Sequence, residues 1–189
     1  MSRTVLSRQI ITASAFAVYV GAIIFANYLI VHGCPGAAAT PFGTYTLPVG
    51  LGLVAPAGTY MAAITFPMRD LVQRSGGRTV GLIAIFVAGF VSWWVSSPTI
   101  AVASGVTFII SETCDFVVYT PLQKKWFVSA VVVSGVLASV VDSLIFLQLA
   151  HIPYSGNLAG LIVGKIWIVT LIGGPLAWVL RKKLSLQKR

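Results

Sequence analysis

The chain has 189 residues, of which 57% are hydrophobic and 9% are charged, and its mean hydropathy is +0.93. This composition excludes a soluble globular domain and is typical of an integral membrane protein. The net charge of +9 does not indicate binding to nucleic acid, because the basic residues flank apolar runs and do not alternate with aromatic residues on a polar surface. We therefore expect these residues to face the lipid bilayer surface.

Apolar runs predict six membrane-spanning helices, because one span needs about 20 residues. The expected spans cover residues 11–31, 47–66, 80–96, 100–119, 126–150 and 157–180. The Gly- and Pro-rich segment 33–46 is expected to be a loop or a re-entrant segment, and the charged segment 67–79 to be a loop at a membrane face. The predicted fold is an all-α, polytopic membrane protein with a single transmembrane domain over residues 1–189.

Basic residues predict the orientation of these spans. Of the 13 Lys and Arg residues, all except Lys165 fall at the N-terminus, in the segments 67–79 and 120–125, or in the tail after residue 180. These segments alternate along the chain with segments that hold none. Because cytoplasmic loops carry an excess of Lys and Arg, we expect both termini to be cytoplasmic in a multi-pass protein of the inner (plasma) membrane.

Two of the 4 acidic residues, Glu112 and Asp115, lie inside the fourth predicted span. With Tyr119 they are spaced by three and four residues, which places all of them on one face of a helix. A carboxylate near the bilayer centre costs roughly 2.5–3.5 kcal/mol on insertion scales, so it normally faces the bundle interior, a partner charge or a cavity. We interpret this polar face as the core of a functional site.

Asp142 in the fifth span and Lys165 in the sixth come out at the same depth when each residue is given a rise of about 1.5 Å. Consecutive antiparallel helices usually pack as neighbours, so one interpretation is a buried ion pair that holds the bundle together. The other is a counter-ion or gate that contacts the substrate. Asn27 in the first span is a polar position that either bonds across helices or lines a cavity.

Arg69, at the expected cytoplasmic end of the second span, is predicted to reach Asp115, and we assign Arg69 and Asp70 a structural or gating role. Glu112 then has no basic partner at its own depth, so we expect Glu112 to meet the ligand. An ionised carboxylate accepts two parallel N–H bonds from a guanine-like edge. A protonated one can carry ion coupling instead.

Metal, cofactor and catalytic sites are not expected. His32 and His151 stand alone, and Cys34 and Cys114 suit neither a disulfide framework nor a metal cluster. The sequence has no Walker motif and no GxGxxG strand-to-helix signal, so the chain is not expected to hydrolyse ATP. No Ser/His or Asp/Asp arrangement falls at one depth, which argues against an enzyme.

Five sequence elements occur in the order and at the spacing of a known family. They are Asn27, Arg69-Asp70-Leu71, Ser111-x-x-x-Asp115-x-x-x-Tyr119, the Val-Asp-Ser-Leu-Ile-Phe segment at 141–146, and Gly164-Lys165. In these elements the chain resembles the vitamin uptake transporter family, whose characterised members are queuosine precursor transporters. The resemblance extends over nearly the whole chain.

The resemblance implies import of a 7-deazaguanine, such as 7-cyano-7-deazaguanine, and a six-helix fold similar to the substrate-binding subunits of energy-coupling-factor transporters. The planar heterocycle is expected to bind between spans one, four, five and six. The expected binding residues are Asn27, Glu112, Asp115, Tyr119, Asp142 and Lys165. An alternative function is a binding subunit that needs a separate ATPase, and the sequence leaves open whether the chain forms a homo-oligomer.

Overall fold

A computed structural model of the chain describes residues 3–40, 43–98, 100–152 and 157–186, with side chains between 5 and 181 within these ranges. Residues 153–156, between the fifth and sixth predicted spans, and 187–189, at the end of the basic tail, lie outside the described residues.

Long helices form almost all of the structure, which confirms the predicted all-α class. They are α1 (Arg3–His32), α2 (Thr59–Gly76), α3 (Arg78–Val95), α4 (Ala101–Leu122), α5 (Phe127–Leu149) and α6 (Asn157–Ile168), which continues through a π-helical turn (Val169–Gly173) into α7 (Gly174–Leu186). Three short strands are added between α1 and α2. They are β1 (Ala38–Ala39), β2 (Tyr45–Gly50) and β3 (Leu53–Pro56), paired antiparallel in the order β1-β2-β3.

Within the described residues, 5 helical segments are long and apolar enough to cross a membrane, which confirms a polytopic membrane protein. They are Val5–His32, Arg78–Val95, Ala101–Leu122, Phe127–Leu149 and Asn157–Arg181. Helix α3 shows the physical reason. Ile83, Phe86, Phe90 and Trp94 recur every three or four residues and are 58%, 59%, 59% and 72% exposed, so one face of α3 presents large apolar side chains to lipid.

The second predicted span, 47–66, is wrong in its first half. Residues of this segment form the β2–β3 hairpin, and Gly50 and Gly52 take φ angles of 91° and 73° at its turn. Glycine adopts this left-handed region without the steric cost of other residues. A mean hydropathy does not separate a short apolar hairpin from a helix, although Pro48 and the two glycines disfavour helix here.

The loop predicted at 67–79 is also wrong, because residues 67–76 form the second half of α2. The expected Gly-Gly turn is confirmed, since Gly77, with a φ of 98°, separates α2 from α3. Helix α2 packs against α1, α3, α4, α5 and α6. Every residue from 65 to 70 is buried. Because these residues cover more than one helical turn, all sides of α2 are enclosed by protein here and none faces lipid. Polar residues of α2 are therefore tolerated inside the membrane.

The β2–β3 hairpin covers the end of the bundle where α1 ends and α2 and α6 begin. The Trp167 Nε1–H donates to the Val49 carbonyl over 3.1 Å. Gly160 lies so close to β3 that a Cβ there would be 1.8 Å from the Val54 carbonyl oxygen. The small residues of α6 therefore permit a close approach, as is common in membrane bundles, but the neighbour at Gly160 is a strand.

Candidate functional site

A cavity of about 100 Å³ lies between the helices near the hairpin. Helices α1 to α6 all contribute to its wall. Its polar wall residues are Asn27, Thr59, Thr65, Ser92, Ser104, Thr107, Asp142 and Lys165, and Phe108 and Phe146 add aromatic rings. A cavity between helices that combines aromatic rings with converging polar groups is typical of a small-molecule site.

Asp142 and Lys165 form an ion pair in the cavity wall, as the first interpretation predicts. The Lys165 ammonium also donates to the Ser143 hydroxyl over 3.2 Å, and the Ser111 hydroxyl donates to Asp142 Oδ1 over 2.9 Å. Lys165 is buried, whereas Asp142 is 19% exposed. An ammonium has three N–H donors and each carboxylate oxygen has two lone pairs, so the pair keeps one donor and two acceptor positions for a ligand.

Two buried hydroxyls of the cavity wall lack partners. Thr59 and Thr107 make no side-chain hydrogen bond to any residue that the structure describes. An unpaired buried hydroxyl costs about 1–3 kcal/mol. A ligand with complementary polar atoms recovers this free energy.

Asn27 combines both roles that its sequence position allows. Its Nδ2 donates to the Ile23 carbonyl over 3.0 Å, and its Oδ1 accepts a hydrogen bond from the Ser96 hydroxyl over 2.9 Å. The second bond ties α1 to the end of α3. The Asn27 side chain therefore both connects two helices and lines the cavity.

A second polar cluster surrounds Arg69, deeper in the bundle. The Arg69 Nη1 lies 3.0 Å from Asp70 Oδ1, the Nε lies 3.2 Å from Glu112 Oε2, and the Nη2 pairs with Asp115. The predicted contact between Arg69 and Asp115 is confirmed. The expectation that Glu112 has no basic partner is wrong, because Arg69 lies inside α2 at the level of Glu112 and not in a loop. We call these four side chains the Arg69 network.

Further side chains fix the Arg69 network in place. Gln73 Oε1 accepts a hydrogen bond from Arg69 Nη1 over 2.8 Å, and Gln73 Nε2 donates to the Thr120 hydroxyl over 2.9 Å. The Tyr119 hydroxyl donates to the Asp70 carbonyl over 3.3 Å, and its ring centroid is 5.5 Å from the guanidinium carbon. The planar guanidinium is therefore held from several directions.

Helices α1 and α5 also reach the Arg69 network. The Tyr19 hydroxyl of α1 neighbours the Glu112 carboxylate, and the Ser134 hydroxyl of α5 neighbours Asp115. Together with α2 and α4, four helices thus meet at this cluster. It lies in the core of the bundle, as expected for ionisable groups in a membrane.

The charges of the Arg69 network do not balance. One guanidinium faces three carboxyl groups, so full ionisation gives a net charge of −2. The side chains of Arg69, Asp70, Glu112 and Asp115 are 0%, 1%, 0% and 0% exposed. An uncompensated buried charge costs several kcal/mol even after relaxation. The network therefore favours the uptake of positive charge.

Helix α4 connects the cavity to the Arg69 network. Ser111 bonds to Asp142 in the cavity wall, and the next residue, Glu112, pairs with Arg69. Thr65 of α2 lines the cavity, and its hydroxyl neighbours the Glu112 carboxylate. A change in the charge of Glu112 therefore alters the electrostatic environment of the cavity wall, and a change in the charge near Asp142 alters that of Glu112.

The structure divides the predicted site residues between the two places. The described cavity wall contains Asn27, Asp142 and Lys165, whereas Glu112, Asp115, Tyr119, Arg69 and Asp70 belong to or contact the Arg69 network. Contact of any of them with a substrate stays a prediction.

Several residues of the cavity wall are not predicted from the sequence, among them Thr59, Thr65 and Thr107. Thr107 continues the polar face of α4, since Ser104, Thr107, Ser111 and Asp115 are spaced by three and four residues, so extending the helical pattern backwards would have found it. Thr59 and Thr65 had no such signal, because the boundaries expected for the second span were wrong.

Comparison with known families gives one match. The sequence model of a family described as "Putative vitamin uptake transporter" matches residues 80–180. This range contains Glu112, Asp115, Asp142 and Lys165, and it begins after α2. No curated protein and no solved structure matches the chain.

Proposed function

Since the chain belongs to the vitamin uptake transporter family, we propose that the vitamin-type molecule it takes up is a queuosine precursor, 7-cyano-7-deazaguanine or a related 7-deazapurine. The cavity between the helices is the proposed binding site. The single observation that supports this choice is the Asp142–Lys165 pair in the cavity wall, with acceptor and donor positions left over.

The polar edge of a deazaguanine matches this pair. Its N1–H and 2-amino group are two parallel donors, which a carboxylate binds in a bidentate manner. Asp142 Oδ1 accepts from Ser111 and Oδ2 pairs with Lys165, so each oxygen still has a lone pair for one of these donors. The remaining N–H of Lys165 then donates to the adjacent ring carbonyl.

Other wall residues suit the flat ring and its substituent. Phe108 and Phe146 supply aromatic surfaces for stacking. The unpaired Thr59 and Thr107 hydroxyls supply donors for acceptor atoms at the rim of the ring, among them the nitrile nitrogen of the 7-cyano compound. The cavity thus offers candidate partners for the N1–H and 2-amino edge, the ring carbonyl and the nitrile of the ligand.

Thermal unfolding of the purified full chain tests the substrate assignment. A ligand at one hundred times its Kd stabilises the fold by about 2.7 kcal/mol, which raises Tm by roughly 5–10 °C for a chain of this size. We expect this increase with 7-cyano-7-deazaguanine. We expect none with 7-deazaadenine, which lacks the N1–H and 2-amino edge.

A double variant links that increase to the cavity. Asp142→Asn combined with Lys165→Met removes both charges together, so no unpaired charge is left, and we expect it to lose the ligand-dependent rise in Tm. A rise with other vitamins and none with any deazaguanine would refute the proposed substrate.

A further inference from the structure

We propose that the Arg69 network is a proton-binding site whose proton is coupled to import, and that Glu112 is the group that takes up and releases this proton. The coupling part of this inference rests on the proposed uptake function, whereas the proton site stands on the geometry of the network alone.

The first argument is the arrangement of charges. Arg69 lies within ion-pair distance of Asp70, Glu112 and Asp115, and its one positive charge compensates only one of these three buried carboxyl groups. Two further negative charges in this place are unfavourable, so the network is stable when it holds protons.

The second argument is a set of unpaired atoms. Both oxygens of Asp70, both of Asp115 and Oε1 of Glu112 are buried and make no hydrogen bond with any residue that the structure describes. Asp70 differs from the other two carboxyl groups, because Glu112 accepts a hydrogen bond from Arg69 and neighbours Thr65, and Asp115 neighbours the Ser134 hydroxyl. An ionised carboxylate needs donors on both oxygens when it is removed from water, whereas a carboxylic acid does not. We therefore assign a resident proton to Asp70.

The chemistry of the cluster selects a proton over a metal cation. The guanidinium already occupies the centre of the carboxyl groups, at 3.0 Å and 3.2 Å from the oxygens of Asp70 and Glu112. A sodium ion there would lie beside a like charge. Among the described residues, no group of three or more His, Cys, Asp or Glu side chains is arranged to hold a metal ion.

Apart from the three carboxyl groups of the Arg69 network, no described group that faces it competes for the exchangeable proton. These groups are Tyr19 from α1, Arg69, Asp70, Gln73 and Arg74 from α2, Glu112, Asp115 and Tyr119 from α4, and Ser134 from α5. The side chains of α3 and α7 that pack nearby are apolar. Only the three carboxyl groups ordinarily titrate near neutral pH when buried.

Of the three carboxyl groups of the Arg69 network, Glu112 is the one that neighbours a residue of the cavity wall. Thr65, which lines the cavity, neighbours Glu112, and Ser111 links α4 to Asp142. A ligand bound at Asp142 therefore changes the surroundings of Glu112 directly. Asp115 is held in its pair with Arg69, and Asp70 lies on the opposite side.

A small cavity provides the other end of a proton route. Asp70 lines a space of about 10 Å³ beside Pro67 and Gly173, the last residue of the π-helical turn. This volume is about that of one water molecule, and π-helical turns are common at functional sites. The Arg69 network thus separates the substrate cavity from a second, water-sized space.

The proton balance is simple. On the substrate side a proton adds to the Glu112 carboxylate and gives the neutral acid. On the other side Asp70 releases its resident proton to water and then takes the proton of Glu112, which restores both the protonated Asp70 and the Glu112 carboxylate. One proton moves inward with each neutral substrate, and no other bond is made or broken.

Infrared spectroscopy of the purified full chain, in detergent without substrate at neutral pH, tests the proton site. We expect a carbonyl band of a protonated carboxyl group that shifts in heavy water. The band should be lost in Asp70→Asn combined with Glu112→Gln and kept in Asp142→Asn combined with Lys165→Met. Absence of the band from the native chain would overturn the proposal.

Uptake into proteoliposomes under an imposed pH gradient tests the coupling. One proton per substrate predicts about tenfold accumulation for one pH unit. We expect Glu112→Gln to abolish accumulation. Thr113→Val, a change at the neighbouring exposed residue of α4, should leave it intact.

The outcomes separate the two proposals. Exchange of substrate without accumulation under a pH gradient, or accumulation driven by sodium, would overturn proton coupling while the uptake function stands. Absence of any exchange by the native chain would overturn the uptake function, and the infrared band would then decide the proton site by itself.

Discussion

Arg69 shows how strongly the meaning of one residue depends on where the chain places it. Counted as a loop residue, it is one more positive charge at a membrane surface. Buried in α2, it is the central cation for Asp70, Glu112 and Asp115. Lys165 was easier to interpret, because a lysine inside an apolar run has few partners at its depth, and Asp142 is the one it meets.

The Lys165–Asp142 pair offers a test of structural against ligand-binding roles. Lys165→Met leaves the partly buried Asp142 carboxylate without its partner, and we expect a loss of about 3 kcal/mol in the free energy of unfolding. Adding Asp142→Asn should restore most of this stability, because both charges are then gone. Denaturant unfolding of the substrate-free protein measures both effects.

The same variants then separate the two roles. Ligand binding should remain lost in the restored double variant, since the donor and acceptors for the heterocycle are missing. Substrate binding at native strength by the double variant would show that the pair serves only to hold α5 and α6 together.

Helix by helix, the sequence predicts the parts of the fold that touch lipid. Helices that contact lipid must expose apolar side chains along their length, so their composition is apolar enough to be recognised in the sequence. These helices are α1, α3, α4, α5, and α6 with its continuation α7. Helix α2 escapes this requirement because its neighbours enclose it. The ion pair could be predicted from depth alone, but the cavity could not, since its wall needs the correct start of α2 and the hairpin beside it.

The contact between the hairpin and α6 yields a prediction for Gly160. Gly160→Ala places a Cβ 1.8 Å from a backbone oxygen of β3, so the hairpin must shift. We expect a loss of at least about 3 kcal/mol and a Tm lower by roughly 6–12 °C. Gly21→Ala is the matched control, because a Cβ on Gly21 of α1 meets nothing within 4 Å. Equal Tm values for the two variants would contradict the described packing of the hairpin.

At the scale of the whole molecule, charge and packing agree on one orientation. The Arg74 guanidinium donates to the Gln123 carbonyl over 3.1 Å, so the end of α2 and the end of α4 lie at the same face of the bundle. Basic residues follow both helices at this face, namely Arg78 and Lys124 with Lys125. We propose that this face is cytoplasmic, which places the hairpin and the substrate cavity toward the outside.

Cysteine labelling in intact cells tests this orientation. In a chain with Cys114→Ser, the remaining Cys34 follows α1 near the hairpin, and we expect a membrane-impermeant thiol reagent to label it from outside. In a chain that also carries Cys34→Ser, a cysteine introduced by Lys124→Cys should react only after lysis. The reverse pattern would invert the proposed topology.

The roles proposed for the cavity and for the Arg69 network both require that the helical bundle by itself carries a flat heterocycle across the membrane. Substrate counterflow measures this most directly: the purified chain alone is reconstituted in vesicles loaded with unlabelled 7-cyano-7-deazaguanine, and entry of the labelled compound is followed without any ATPase or ion gradient. The account predicts rapid entry of label that is absent from empty vesicles and from the Asp142→Asn, Lys165→Met chain. Binding of the labelled compound with no entry above the empty vesicles would contradict it.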